Sequence, residues 1–201
     1  MEKLAERFAD RLVLKNICTL EEKPLYVYGM TLFLTTALVM LSIVTLSIVL
    51  FDVRYGVLYV VMFPMLRVCV GGYHCKTYAS CFVVSNIIFV ADAFFAVFIC
   101  GMPAMWSALI SVSIMLVSAA YIICNAPISN PKNPLLQKRK EKNRKKAIIR
   151  TTALTATSVA CALAALKFPA FLYVSSTAAS VEFTVALLMI IETIKQKGEK
   201  T

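Results

Sequence analysis

The chain has 201 residues, of which 60% are hydrophobic and 16% charged, with a formal net charge of +10 and a mean hydropathy of +0.78. That balance excludes a soluble domain and points to an all-α, polytopic membrane protein. The positive charges are bunched beside apolar runs, which is how membrane proteins fix their orientation; a nucleic-acid surface is not the reading they support, and no nucleic-acid partner is expected.

In chain order, residues 1–23 carry five acids (Glu2, Glu6, Asp10, Glu21, Glu22) and five bases (Lys3, Arg7, Arg11, Lys15, Lys23). With no continuous apolar stretch, this is not the pattern of a cleavable signal peptide. Leu4, Ala5, Phe8, Ala9, Leu12 and Val13 recur at helical spacing, so the segment reads as an amphipathic helix lying in the membrane interface, or as a solvated helix packed on the rest of the protein. Residues 24–201 read as one transmembrane domain. Spans are expected at about 25–51, 55–70, 78–100, 104–125, 147–166 and 170–194, each close to the ~20 residues that cross a bilayer. The second is short and interrupted by Pro64 and Arg67, which leaves a re-entrant segment open. Residues 126–146 read as a basic loop: from 126 to 150 there are nine bases and one acid. Short basic loops stay in the cytoplasm, so that loop, both termini and the 71–77 turn are expected inside, in about six spans of a multi-pass cell-membrane protein.

The stretch from Arg67 to Ser85 concentrates the chemistry. It holds His74, the chain's one histidine, and Cys81 seven residues on, the parts of a cysteine nucleophile with its own base. On one straight helix the two would be displaced by about 10.5 Å along the axis, whereas proton transfer needs contact at roughly 3 Å. A break is therefore expected, and Gly71-Gly72 supplies it. Cys81 would then sit in the first turns of the following helix, where free N–H groups and the positive dipole end favour a thiolate and an oxyanion. Arg67 and Lys76 are candidate cations or snorkelling bases; with Gly71, Gly72 and Ser85 they make up the supporting or substrate-binding set. Cys75 is a second candidate thiol, but adjacent side chains diverge in regular structure. The seven cysteines show no disulfide framework, and the spacings of Cys69, His74, Cys75 and Cys81 are not those of a zinc site, so no metal and no cofactor is expected. Asp92 and Glu182 fall at mid-membrane depth and are expected either to face each other or to line a polar cavity.

The pattern R-x-x-x-G-G-x-H-x-K-x-x-x-x-C, formed by Arg67, Gly71, Gly72, His74, Lys76 and Cys81, resembles the signature of the accessory gene regulator protein B (AgrB) family of quorum-sensing membrane endopeptidases. NAPISNPKNPLLQKRKEKNRKK, residues 125–146, is similar to the Ala-Pro and basic segment of the same family. Cys75 departs from it, because the family more often has alanine after the histidine. The resemblance implies a bacterial membrane cysteine endopeptidase. Cys81 would attack an AgrD-like precursor peptide with His74 as base, release its C-terminal tail and form an acyl-enzyme thioester. A precursor cysteine would then close a thiolactone ring. The partners implied are that precursor and the lipid bilayer; a homodimer stays open. The rival reading is a small multispan transporter or assembly subunit, in which Asp92 and Glu182 line a path and the His/Cys pair is incidental.

Overall fold

The structure is a computed structural model and describes residues 2–15, 17–71, 77–128 and 137–198. Among the described residues seven α-helices follow one another: α1 (Glu2–Leu14), α2 (Lys23–Leu50), α3 (Val53–Val70), α4 (Tyr78–Cys100), α5 (Ala104–Asn125), α6 (Gln137–Ala165) and α7 (Leu172–Gly198), with a 3₁₀ turn at Pro169–Phe171 before the last. Six of them, α2 to α7, are long and apolar enough to cross a membrane. The protein is an all-α polytopic membrane protein. Because the spans alternate in direction, the start of α2, α4 and α6 and the end of α3, α5 and α7 share one side.

α7 is the hub. Of its most apolar stretch 61% is buried, against 17% for α2, which sets α7 at the centre and α2 at the rim. α3, α4, α5 and α6 all pack on α7, while α2 leans on α3 and α4. The sequence of α7 explains this placement: Ser175, Ser176, Thr177, Ala178, Ala179 and Ser180 are all buried, and small side chains let neighbouring backbones approach where lipid supplies no hydrophobic drive. Large side chains fill the interior between helices, among them Leu66, Phe89, Met115, Ile122 and Met189. Tyr59 stacks on Phe63 and meets Phe89 edge-on, with ring centroids 5.0 and 5.1 Å apart.

α1 lies against α2. Its Ala5 and Ala9 are buried while Leu4 and Phe8 are exposed, and Lys23 Nζ pairs with Asp10 Oδ1 at 2.6 Å. The α2–α3 corner is built on Ser47. Its hydroxyl donates to the Asp52 carbonyl at 2.6 Å and accepts from the Gly56 amide at 2.9 Å. Asp52 caps α3 by accepting from the Arg54 amide at 2.9 Å and holds the Arg54 guanidinium at 2.9 and 2.7 Å, which in turn lies over the Tyr173 ring at 3.8 Å.

Two boundaries differ from the sequence expectation. The second span, expected to be short and interrupted, is one continuous helix of 18 residues with Pro64 inside it, long enough at 1.5 Å per residue for about 27 Å. Arg150 of α6 donates to the Met65 carbonyl at 2.8 Å, next to that proline. The basic segment, expected as a loop through residue 146, is helical from Gln137 onward and continuous with its span. Lys, Arg, Gln and Glu are good helix formers when solvated, so the run has no reason to stay irregular. α6 therefore projects an arm of about ten residues, roughly 15 Å, on which Lys138, Arg139, Lys140, Lys142, Arg144, Lys145 and Lys146 are exposed.

Candidate active site

α3 ends at Gly71, whose φ of +76° is a conformation that L side chains rarely adopt. A Cβ there would also collide with the Ile128 carbonyl oxygen. Two hydrogen bonds and a backbone bridge hold the residue. Its amide donates to the Arg67 carbonyl at 3.2 Å, the Arg67 guanidinium donates to its carbonyl, and it pairs with Ile128 in an isolated parallel bridge. In that bridge the Ile128 amide donates to the Val70 carbonyl at 3.0 Å, satisfying a helix-terminal acceptor that has no partner within α3.

Gly72, His74, Cys75 and Lys76 lie outside the described residues, as do residues 129–136. The chain is described again from Thr77. Thr77 is the N-cap of α4 and forms a capping box with Ser80: the Ser80 amide donates to Thr77 Oγ1 at 3.2 Å and the Thr77 amide donates to Ser80 Oγ at 3.3 Å. A threonine followed three residues later by a hydroxyl-bearing residue at the head of an apolar run is a cap signal visible in sequence, one that the sequence expectation for this stretch does not include.

Cys81 follows directly, in the first turn of α4, and is exposed. Its amide donates to the Thr77 carbonyl at 3.0 Å, so that N–H is already committed. The amides of Tyr78 and Ala79 remain as the first-turn donors without a partner among the described residues. Cys81 Sγ is 4.0 Å from Ser85 Oγ, one turn further in. Cys81, Ser85 and Asp92 fall at i, i+4 and i+11, one stripe of the helix. Asp92 shows where that stripe faces: its Oδ1 accepts from Ser180 Oγ and Thr184 Oγ1 of α7, both at 2.6 Å. The thiol thus opens the α7-facing side of α4. An open cleft of about 530 Å³ lies between α1, α2 and the start of α4, bordered by Glu6, Lys23, Tyr28, Thr31 and Tyr78, with Cys81 not among its lining residues.

Asp92 and Glu182 do not bond to each other. Glu182 Oε1 accepts from Thr155 Oγ1 of α6 at 2.9 Å. Positions 180 and 184 lie about 200° around α7 from position 182, so the two acids occupy opposite faces of that helix. Both are buried, and each has one carboxylate oxygen, Asp92 Oδ2 and Glu182 Oε2, without a hydrogen-bond partner among the described residues. Ser180, Thr184 and Thr155, the residues that receive the acids, carry no distinguishing signal in sequence, because many buried hydroxyls in these helices bond only to their own backbone, as Thr31 and Thr35 do.

No curated protein and no solved structure matches the chain in comparisons of sequence and fold. The family model of accessory gene regulator B matches residues 2–194. With that match running from the first turn of α1 nearly to the end of α7, the chain belongs to the AgrB family, whose role is the processing of AgrD precursor peptides in quorum sensing.

Proposed function

We propose that the protein is a membrane cysteine endopeptidase that cuts the C-terminal tail from an AgrD-like precursor through a thioester on Cys81. The observation that carries this reading is the exposed Cys81 thiol in the first turn of α4, within a chain whose family processes such precursors. His74 stands three residues from each of two anchors, Gly71 and Thr77. As general base it takes the thiol proton while Cys81 Sγ bonds to the scissile carbonyl carbon, and it returns that proton to the leaving amine as the C–N bond breaks. The amides of Tyr78 and Ala79, which have no partner among the described residues, stand at the positive end of α4 as donors for the oxyanion. A thiol of the precursor then attacks the thioester, closing the thiolactone and returning the proton to Cys81. One thioester replaces another, so the exchange is nearly balanced and its yield depends on keeping water away, which a site at the bilayer edge favours.

The positive-inside rule puts the basic arm, both termini and the site toward the cytoplasm. The bilayer and α1, in the interface plane with Leu4 and Phe8 toward lipid, hold an amphipathic precursor at the same level. The arm's seven exposed bases attract an acidic tail.

The test is co-expression with precursors encoded nearby, followed by mass analysis of the released tail and of any acyl adduct on Cys81. Cys81→Ala is expected to abolish tail release while inserting normally, and Cys75→Ala to retain it. Tail release undiminished in Cys81→Ala would sink the reading.

A further inference from the structure

Glu182 is fully buried in the middle of α7 and is poorly supplied with donors. Asp92 receives two hydroxyls, from Ser180 and Thr184; Glu182 has Thr155 alone among the described residues. That one hydroxyl is also claimed twice. Thr155 Oγ1 stands 2.8 Å from the Thr151 carbonyl and 2.9 Å from Glu182 Oε1, two acceptors for the single proton a threonine carries. An ionised Glu182 leaves one of those contacts without a hydrogen. With a proton on Oε1 both become complete bonds, Thr155 donating to its own helix and the acid donating to Thr155. A neutral acid is also cheaper to bury at this depth than a carboxylate.

The surroundings give such a proton a route. Buried hydroxyls elsewhere in the bundle bond their own helix, as those of Thr31, Ser176 and Thr177 do. Ser107, Ser111, Thr151 and Ser158 are fully buried, yet their hydroxyls have no partner among the described residues, and neither has Glu182 Oε2. All belong to α5, α6 and α7, which pack on one another. Ser107 lies in the first turn of α5 and Ser111 one turn deeper, Ser158 is seven residues from the end of α6 at Ala165, and Glu182 is ten from the start of α7 at Leu172. Measured from the membrane side opposite Cys81, these depths are about 5, 10, 10 and 15 Å. Thr151 is one turn beyond Thr155, toward the Cys81 side. Unpartnered buried hydroxyls spaced in this way are places for water to bond. No titratable side chain stands among them on the buried faces of α5 and α6. Tyr55 and Tyr59 of α3 and Asp92 of α4 lie against the opposite face of α7, beside Thr177 and Ser180, and Arg150 of α6 is turned to the Met65 carbonyl.

We propose that Glu182 is a proton-binding site, supplied by water along the seam of α5, α6 and α7 from the side opposite Cys81. The proton leaves the acid neutral when bound and a carboxylate at the core of the hub helix when released. The site is independent of the thiol chemistry. It makes the centre of the bundle responsive to the pH of one side while the thiol faces the other.

Infrared difference spectroscopy of the full-length protein in phospholipid nanodiscs reads the site directly. At pH 7, Glu182→Gln is expected to remove a carboxylic-acid carbonyl band and Glu182→Asp to move it; a carboxylate band lost or moved in its place overturns the proposal. Transfer to heavy water is expected to shift the acid band as the proton exchanges, and a band that does not shift is equally fatal. Ser111→Ala and Ser158→Ala, which each remove one oxygen and add no bulk, are expected to slow that shift about tenfold, the factor that goes with one lost hydrogen bond. Thr151→Val, of matching size on the far side of the acid, should exchange as the parent does. Serine variants that exchange as fast as the parent, or slowing in Thr151→Val alone, would overturn supply along this seam.

Discussion

Gly56 of α3 lies so close to Ser47 of α2 that a Cβ on the glycine would meet the Ser47 Cβ at 2.5 Å and its Oγ at 2.8 Å. The serine hydroxyl uses that proximity to bond both the Gly56 amide and the Asp52 carbonyl, so one side chain closes the hairpin between the first two spans.

Gly56→Ala is therefore expected to destabilise the protein by about 1–3 kcal/mol through overpacking. Ser47→Ala is expected to cost about 1–3 kcal/mol by leaving a buried amide unpaired. Thermal unfolding in detergent measures both. The corner is at the opposite end of α3 from Gly71, so Cys81 alkylation in either folded variant should match the parent.

Thr77→Ala removes the α4 cap and is expected to cost about 0.5–2 kcal/mol. The loss is local, fraying the turn that carries Cys81, so precursor processing should fall by more than global stability does. Thr77→Ser retains an oxygen acceptor and should restore processing. Equal processing in Thr77→Ala and the parent would show that the first turn of α4 needs no cap to present the thiol.

Asp52 gives a pH-dependent contribution. Hydrogen bonds from the Arg54 side chain and then from the Arg54 amide hold its carboxyl down at about 2, below the ordinary 3.8. A carboxyl depressed on folding contributes its full stability above the unfolded value and loses it as pH falls through the folded one. The α2–α3 corner is expected to weaken between about pH 4 and pH 2, and Asp52→Asn to remove that portion of the acid dependence in detergent unfolding. The pair is well exposed, so the effect is small and salt-sensitive.

Asp92→Asn keeps an oxygen for Ser180 and Thr184 and is expected to insert and process precursor nearly as the parent does. Asp92→Leu leaves both hydroxyls to their own helix and should cost about 0.5–2 kcal/mol, the scale of interhelical hydrogen bonds in membranes. Loss of processing in Asp92→Asn with normal insertion would show that the charge of this carboxylate, and not only the oxygen it offers Ser180 and Thr184, is needed for processing.

Legibility in the sequence followed locality. Spans that depend on length and hydropathy, such as α4 and α5, begin and end where the apolar runs do, and the positions of Cys81 and Gly71 at helix ends follow from cap and glycine chemistry in their own few residues. The contacts that hold the candidate site were not legible. Whether Ile128 meets Val70, or Asp92 meets Ser180 in place of Glu182, depends on the rotation of whole helices about their axes, which a nearly uniform apolar surface leaves undetermined. The basic arm is illegible for another reason: a charge run reads as the end of a span, whereas on α6 it ends only the apolar part of a longer rod.

The central place of α7 has a consequence for how the chain is made. A ribosome delivers α2 through α6 first, and during that interval the seat at the middle of the bundle is vacant. Asp92 and Thr155 then sit in the bilayer without the hydroxyls and the carboxylate that α7 will bring. Helices α3 to α6 form a ring awaiting its axle, with α2 outside it, and a nascent chain arrested before Leu172 leaves Asp92 and Thr155 without their partners on α7. Assembly is committed only when the final helix slides in.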